Sequence, residues 1–139
     1  MKVLTVACLV SLGLPLSAQA PEVYKGRLAP VPVDAQLAPN TAGHGSASAA
    51  LAGAKLTVSG TFEGLRAPAT AAQLRRGLAT GVRGPVLFEL TVAKAASGTI
   101  SGSFDLTPEQ IDGLRKSRLY VQIDSEKAPD GNLWGWLLK

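Results

Sequence analysis

Across 139 residues there is one cysteine, one methionine and one histidine, and only 5% of the chain is aromatic. Cys8 and Met1 both fall in the first twenty residues, which read as a leader that is cut away. With no thiol left, no disulfide staples the remainder, and a hydrophobic core must hold it together. The lone His44 sits between Gly43 and Gly45. Nucleophilic sets of the Cys/His or Ser/His/Asp kind need a base beside the nucleophile, so both are excluded. A transition-metal centre built from imidazole and sulfur ligands is excluded on the same ground. Asp124, Glu126 and Asp130 lack the spacing of a calcium loop. Nothing around Asp124 and Glu126 supplies the sheltered pocket that paired-carboxylate glycoside chemistry requires. Gly98 and Gly102 stand in turn and strand contexts rather than in a strand-to-helix phosphate cradle. The chain reads as a non-enzyme without a cofactor.

Charge is also thin. Fourteen basic and ten acidic residues give +4, falling to +3 once Lys2 leaves with the leader; this is not the dense patch of a nucleic-acid binder. The one long apolar stretch, 3–16, is short for a membrane span. It follows Lys2 and precedes Ala18-Gln19-Ala20, the basic start, apolar middle and small-residue cleavage site of a signal peptide over 1–20. Most of the apolar stretch lies after Cys8, the wrong order for a lipidated cysteine, so Cys8 belongs to the leader. Residues 21–139 suit one domain, and the leader predicts a secreted, periplasmic or cell-surface protein.

What the chain does have is alternation. Ala72 to Arg75, Leu119 to Ser125 and Gly131 to Leu137 each alternate apolar and polar residues, the period-2 pattern of a strand with one face in a core. Further strands are predicted over 22–28, 46–51, 55–62, 86–92 and 99–106. A Pro-, Ala- and Gly-rich crossing falls at 29–45 and a longer glycine-containing loop at 76–85. Thr107-Pro108-Glu109-Gln110 opens a short helix, with Thr107 as cap and Gln110 closing a capping box. Ile111 and Leu114 face inward. Seven or eight strands with Gly/Pro turns and one helical turn make an all-β fold, an antiparallel β-sandwich or partly closed barrel.

The three alternating stretches, with Gly84-Pro85-Val86, resemble the frame of the CHRD domain, the module named after chordin. Tyr24 to Leu28, Thr41 to Ala49 and Leu106-Thr107-Pro108 also look like family positions. The resemblance implies an immunoglobulin-like sandwich and places the three stretches side by side. Family members typically read Ala-His-Ile-His, Tyr-Val-Asn-Ile-His-Thr and Gly-Glu-Ile-Arg-Gly-Gln-Leu there. Here the histidine positions hold Gln73, Arg75 and Asp124. By resemblance to chordin's own domains, the role is binding other extracellular proteins.

Alternation sends Leu74, Leu119, Val121, Ile123, Leu133, Gly135 and Leu137 into the core. It sends Gln73, Arg75, Tyr120, Gln122, Asp124, Asn132, Trp134 and Trp136 the other way. If the strands are neighbours, these eight form one surface, the candidate binding face, with Arg75 and Asp124 able to pair and Gln73 able to bond either. Trp134 and Trp136, two residues apart and near Tyr120, predict a flat apolar platform. Three readings are open for it: a second small core covered by 29–45 or helix 108–116, a protein or dimer contact, or a glycan platform. Arg66, Arg75, Arg76 and Arg83 gather near the fourth strand, either as a solvated set or as a contact for phosphate or carboxylate groups of the envelope. The expected functions are a secreted binding module for an envelope or extracellular protein or glycan, a structural spacer, or a metal-binding domain that has lost its histidines.

Overall fold

The computed structural model describes residues 20–139; Cys8 and all but the last residue of the leader expected over 1–20 lie outside the described residues. Eight strands and one short helix follow one another: β1 (Glu22–Pro30), β2 (His44–Ala52), β3 (Lys55–Glu63), β4 (Ala69–Arg76), β5 (Val86–Val92), β6 (Gly98–Asp105), α1 (Pro108–Arg115), β7 (Leu119–Ser125) and β8 (Leu133–Trp136), with a 3-10 turn at Ala38–Thr41. All neighbouring strands are antiparallel. Their order, β1-β2-β3-β6-β5-β4-β7-β8, closes back on β1 as a barrel.

Of the two forms expected from sequence, sandwich or partly closed barrel, the barrel forms and closes fully, in place of the immunoglobulin-like sandwich that the resemblance implies. Two strands each serve both halves of the barrel. In β1, Glu22 to Leu28 pair with β2, whereas Ala29 and Pro30 turn onto Trp134 and Leu133 of β8. In β5, the first residues pair with β4, and Thr91 and Val92 pass to β6. A two-sheet sandwich would leave edges open where this fold bends a strand around a corner. The β1–β8 corner is tight: a Cβ on Gly26 would stand 2.7 Å from the Trp136 carbonyl oxygen, and one on Gly135 would stand 2.9 Å from that of Arg27. Only glycine allows backbones so close.

The core fills the barrel with one side-chain set per strand. Tyr24, Leu28, Ala49, Leu56, Val58, Leu74, Ile100, Leu119, Val121, Ile123, Leu133 and Leu137 are all buried in it. The inward residues predicted for β4, β7 and β8 take their expected places. Leu106 and Leu114 belong to the same core, with Ile111 packed against it, so α1 closes one end of the barrel. Its capping box forms as predicted, with the Gln110 amide N–H donating to Thr107 Oγ1 at 3.2 Å and the Thr107 N–H to Gln110 Oε1 at 3.0 Å. The described residues pair their eight strands among themselves and supply a contiguous core. They therefore hold the interactions of an independent folding unit. None of their helices is long and apolar enough to cross a membrane.

Glu22 gathers charge at the start of β1, where Arg115 Nε approaches it to 3.3 Å and Lys139 Nζ to 3.7 Å. Partial burial works against its charge, but the hydrogen bond and positive charge of Arg115, with Lys139 behind, hold the carboxyl below its usual range. Burial, then the neighbouring Glu22 charge, push the Tyr24 hydroxyl up. On α1, Lys116 Nζ lies 2.9 Å from Asp112 and lowers that carboxyl too.

Candidate functional site

Strands β4, β7 and β8 lie side by side, so the three alternating stretches do share a surface. Register sets them in rows. Gln73 pairs with Gln122, which pairs with Trp134; Arg75 pairs with Tyr120, which pairs with Trp136. Side chains directly opposite on neighbouring strands lie within contact reach.

The rows are not open to water as expected. Both faces of β7 are buried along its whole length. Tyr120 and Asn132 are fully enclosed, Gln122, Gln73 and Asp124 are buried, and only Arg75, Trp134 and Trp136 keep intermediate exposure. The principal cover is the β4–β5 connection. Gly84 N–H donates to Tyr120 Oη at 2.9 Å, and Tyr120 Oη donates to the Gly84 carbonyl at 3.2 Å. Arg75 Nη1 reaches that carbonyl at 3.0 Å. A Cβ on Gly77 would stand 2.7 Å from the Trp136 ring, so the loop runs directly over the indole. The Pro-rich segment covers the other end: Val31 N–H donates to the Asn132 carbonyl at 3.0 Å, and Asn132 Nδ2 donates to the Ala42 carbonyl at 2.9 Å. Helix α1 instead serves the barrel end. Of the two covers expected over the indoles from sequence, the Pro-rich segment is bonded to Asn132 instead, and the β4–β5 loop that lies over Trp136 was not foreseen.

Beneath the cover runs a chain of polar groups. Arg75 Nε donates to Gln73 Oε1 at 3.3 Å, and Gln73 Nε2 donates to Asp124 Oδ2 at 2.8 Å. Gln122 Nε2 donates to Asp124 Oδ1 at 2.8 Å. The expected Arg75–Asp124 ion pair is thus replaced by a relay through Gln73. A buried carboxylate needs donors on both oxygens, and two amides provide them. Asn132 is internal as well, accepting from Ser125 Oγ at 2.8 Å. It ties the β7–β8 turn to the Pro-rich segment rather than facing outward.

The aromatic side chains form a cluster. The Tyr120 ring lies 4.3 Å from that of Trp136, tilted by 30°, and Trp134 meets Trp136 edge to face at 5.5 Å and 75°. The flat platform is therefore not what forms: two indoles at such an angle make a notch. Two buried polar atoms here have no partner, Trp136 Nε1 and Gln122 Oε1. His44, predicted in a loop, opens β2 and meets Glu63 across the β2–β3 pair at 2.7 Å. Among the described residues no three His, Cys, Asp or Glu side chains gather as a metal-ligand set.

The residues missed from the sequence are Gly77, Arg83 and Gly84 in their covering role. The available signal was the pair of glycines, Gly77 and Gly84, bracketing a short mixed segment followed by Pro85. A closed antiparallel barrel, wrapped by a loop on the outside of one sheet, is the class these features define. The family model for the CHRD domain matches residues 29–137, and the chain belongs to that family. No curated protein and no solved structure matches it.

Proposed function

We propose that this CHRD protein is a non-catalytic binding module of the cell envelope or extracellular space, exported through the leader at 1–20, and that it recognises a protein. The observation that carries this is the half-exposed indole pair, Trp134 and Trp136, on a face whose other polar groups are largely bonded to one another. Amphipathic aromatic rings left partly in water are the common anchors of protein interfaces. Their edge-to-face geometry favours a side chain inserted into the notch over a sugar ring lying flat across both indoles, so a glycan is the weaker form of this reading. Arg75 contributes charge at the rim, while Gln73, Tyr120, Gln122, Asp124 and Asn132 act by holding the face in shape.

The relay among those residues favours a second reading, in which the barrel is a durable spacer and the polar face is internal structure. A third reading, a metal-binding domain that has lost its histidines, draws support from positions 73 and 124 lying within hydrogen-bond reach and 75 beside them. Tryptophan fluorescence of residues 20–139 under iodide quenching, with and without fractionated envelope proteins and glycans, separates the readings. Protection of the indoles by a protein fraction, abolished in Trp134→Ala, supports the binding module. Protection by the glycan fraction alone moves the reading to a sugar. No protection by either leaves the spacer, and metal uptake by a Gln73→His/Arg75→His/Asp124→His variant revives the third.

A further inference from the structure

Beyond the indole notch, the tip of the β4–β5 loop carries its own chemistry. Leu78 is 82% exposed and Val82 45% exposed. A Cβ on Gly81 between them would meet nothing within 4 Å, so the tip stands free. Its base is nevertheless fixed. Gly77 N–H donates to the Arg118 carbonyl at 2.8 Å, Thr80 Oγ1 to the Ser117 carbonyl at 2.7 Å, and Arg76 N–H to the Pro85 carbonyl at 3.1 Å. Cations surround the base: Arg76 and Arg83 flank the loop, and Lys116 and Arg118 come from the segment it bonds to. The nearby acids offset little of this. Asp112 pairs with Lys116 and also feels Arg118 and Arg76, so one carboxylate stands against three cations, and Asp130 receives Arg83 on its backbone oxygen at 3.2 Å.

We propose that this loop docks the protein on an anionic lipid surface, with Leu78 and Val82 entering the headgroup layer while Arg76, Arg83 and Arg118 contact lipid phosphates. Two aliphatic side chains supply far less than the roughly 800 Å² per partner that a stable protein interface buries. They do suit shallow interfacial insertion, where apolar contact and attraction to anionic lipid add. The fixed base means that little loop entropy is lost on docking. Neither the indoles nor the buried relay contacts the lipid in this arrangement, although the base of the same loop lies over Trp136.

Flotation of residues 20–139 with phosphatidylcholine vesicles, pure or containing about one-third phosphatidylglycerol, tests the idea. The protein should float with the anionic vesicles, not the neutral ones, and less so as salt rises. Leu78→Ser/Val82→Ser should weaken partitioning at least about tenfold, since both side chains are exposed and only insertion uses them. Arg76→Gln/Arg118→Gln should weaken it by roughly fivefold per removed charge. Equal flotation with both vesicle types, or an unchanged Leu78→Ser/Val82→Ser variant, overturns the proposal. So does self-association in sedimentation velocity that Leu78→Ser abolishes, because a second copy would then be the occupant of the loop.

Discussion

Replacing Tyr120 with Phe removes one oxygen and leaves everything else in place. That oxygen accepts from Gly84 N–H at 2.9 Å and donates to the Gly84 carbonyl at 3.2 Å, so it clips the covering loop to the sheet. A net hydrogen bond contributes about 0.5–1.5 kcal/mol, so losing two costs about 1–3 kcal/mol. The upper end is tempered because Arg75 Nη1 still reaches the Gly84 carbonyl at 3.0 Å; only the amide is orphaned. The ring keeps its place against Trp136 at 4.3 Å, so the barrel stays folded. Each kcal/mol lowers the melting temperature of a domain this size by roughly 3–6 °C. Urea unfolding gives the loss, tryptic mapping reports nicking after Arg76 and Arg83, and iodide quenching reports the indoles. Lower stability, faster nicking in the loop and stronger quenching are expected together. A change below about 0.5 kcal/mol with no extra nicking would refute the reading of Tyr120 as the clip.

Gly84→Ala should open the same loop without touching the tyrosine, because the added Cβ would collide with the Arg76 carbonyl oxygen; tryptic mapping should match that of the Tyr120→Phe protein, with near-native far-ultraviolet circular dichroism. Asp124→Leu strands the two buried amide donors of Gln73 and Gln122 and should cost about 2–5 kcal/mol by denaturant unfolding, more than Tyr120→Phe. Glu22 and Asp112 have lowered folded-state pKa values. Their contribution is present above the ordinary carboxylate range and is lost as pH falls through the lowered values, so Arg115→Ala and Lys116→Ala should be less stable than wild type in denaturant unfolding at neutral pH and converge with it in strong acid. Tyr24 has a raised pKa, so its contribution holds below the unfolded tyrosine value and fades as pH climbs through the folded one, a loss that thermal unfolding at alkaline pH should show and Tyr24→Phe should not.

Local chemistry was legible in the chain and long-range closure was not. The alternation in Leu119 to Ser125 assigned Leu119, Val121 and Ile123 to the core correctly, because a half-buried strand writes its two faces directly into sequence. Thr107-Pro108-Glu109-Gln110 marked α1 because capping uses only neighbours. The turn of β1 from β2 onto β8 has no local signature; it depends on Gly26 and Gly135 meeting from opposite ends of the chain. The candidate face was placed on adjacent strands but misjudged in exposure for a similar reason. Gln73, Gln122 and Asp124 are polar in the outward register, which alternation reads as wet. They satisfy one another in a buried row, with the β7–β8 turn closing on Gln122 at Asp130 and Gly131, a long-range fit that alternation does not record.

Closure through β8 also sets the order in which the protein can be completed. Ala29 and Pro30 wait for Trp134 and Leu133, and Lys25 exchanges two backbone hydrogen bonds with Leu138, so the first strand finds its last partner only when the final residues have been made. Pairings between chain ends form slowly, since most of the chain must be ordered before they are rewarded. Until then β1 and β7 each present an unpaired edge, the template on which other chains add strands. Residues 133–138 therefore act as a latch on a nascent barrel, and a chain cut before Leu133 would be held in the open, adhesive form.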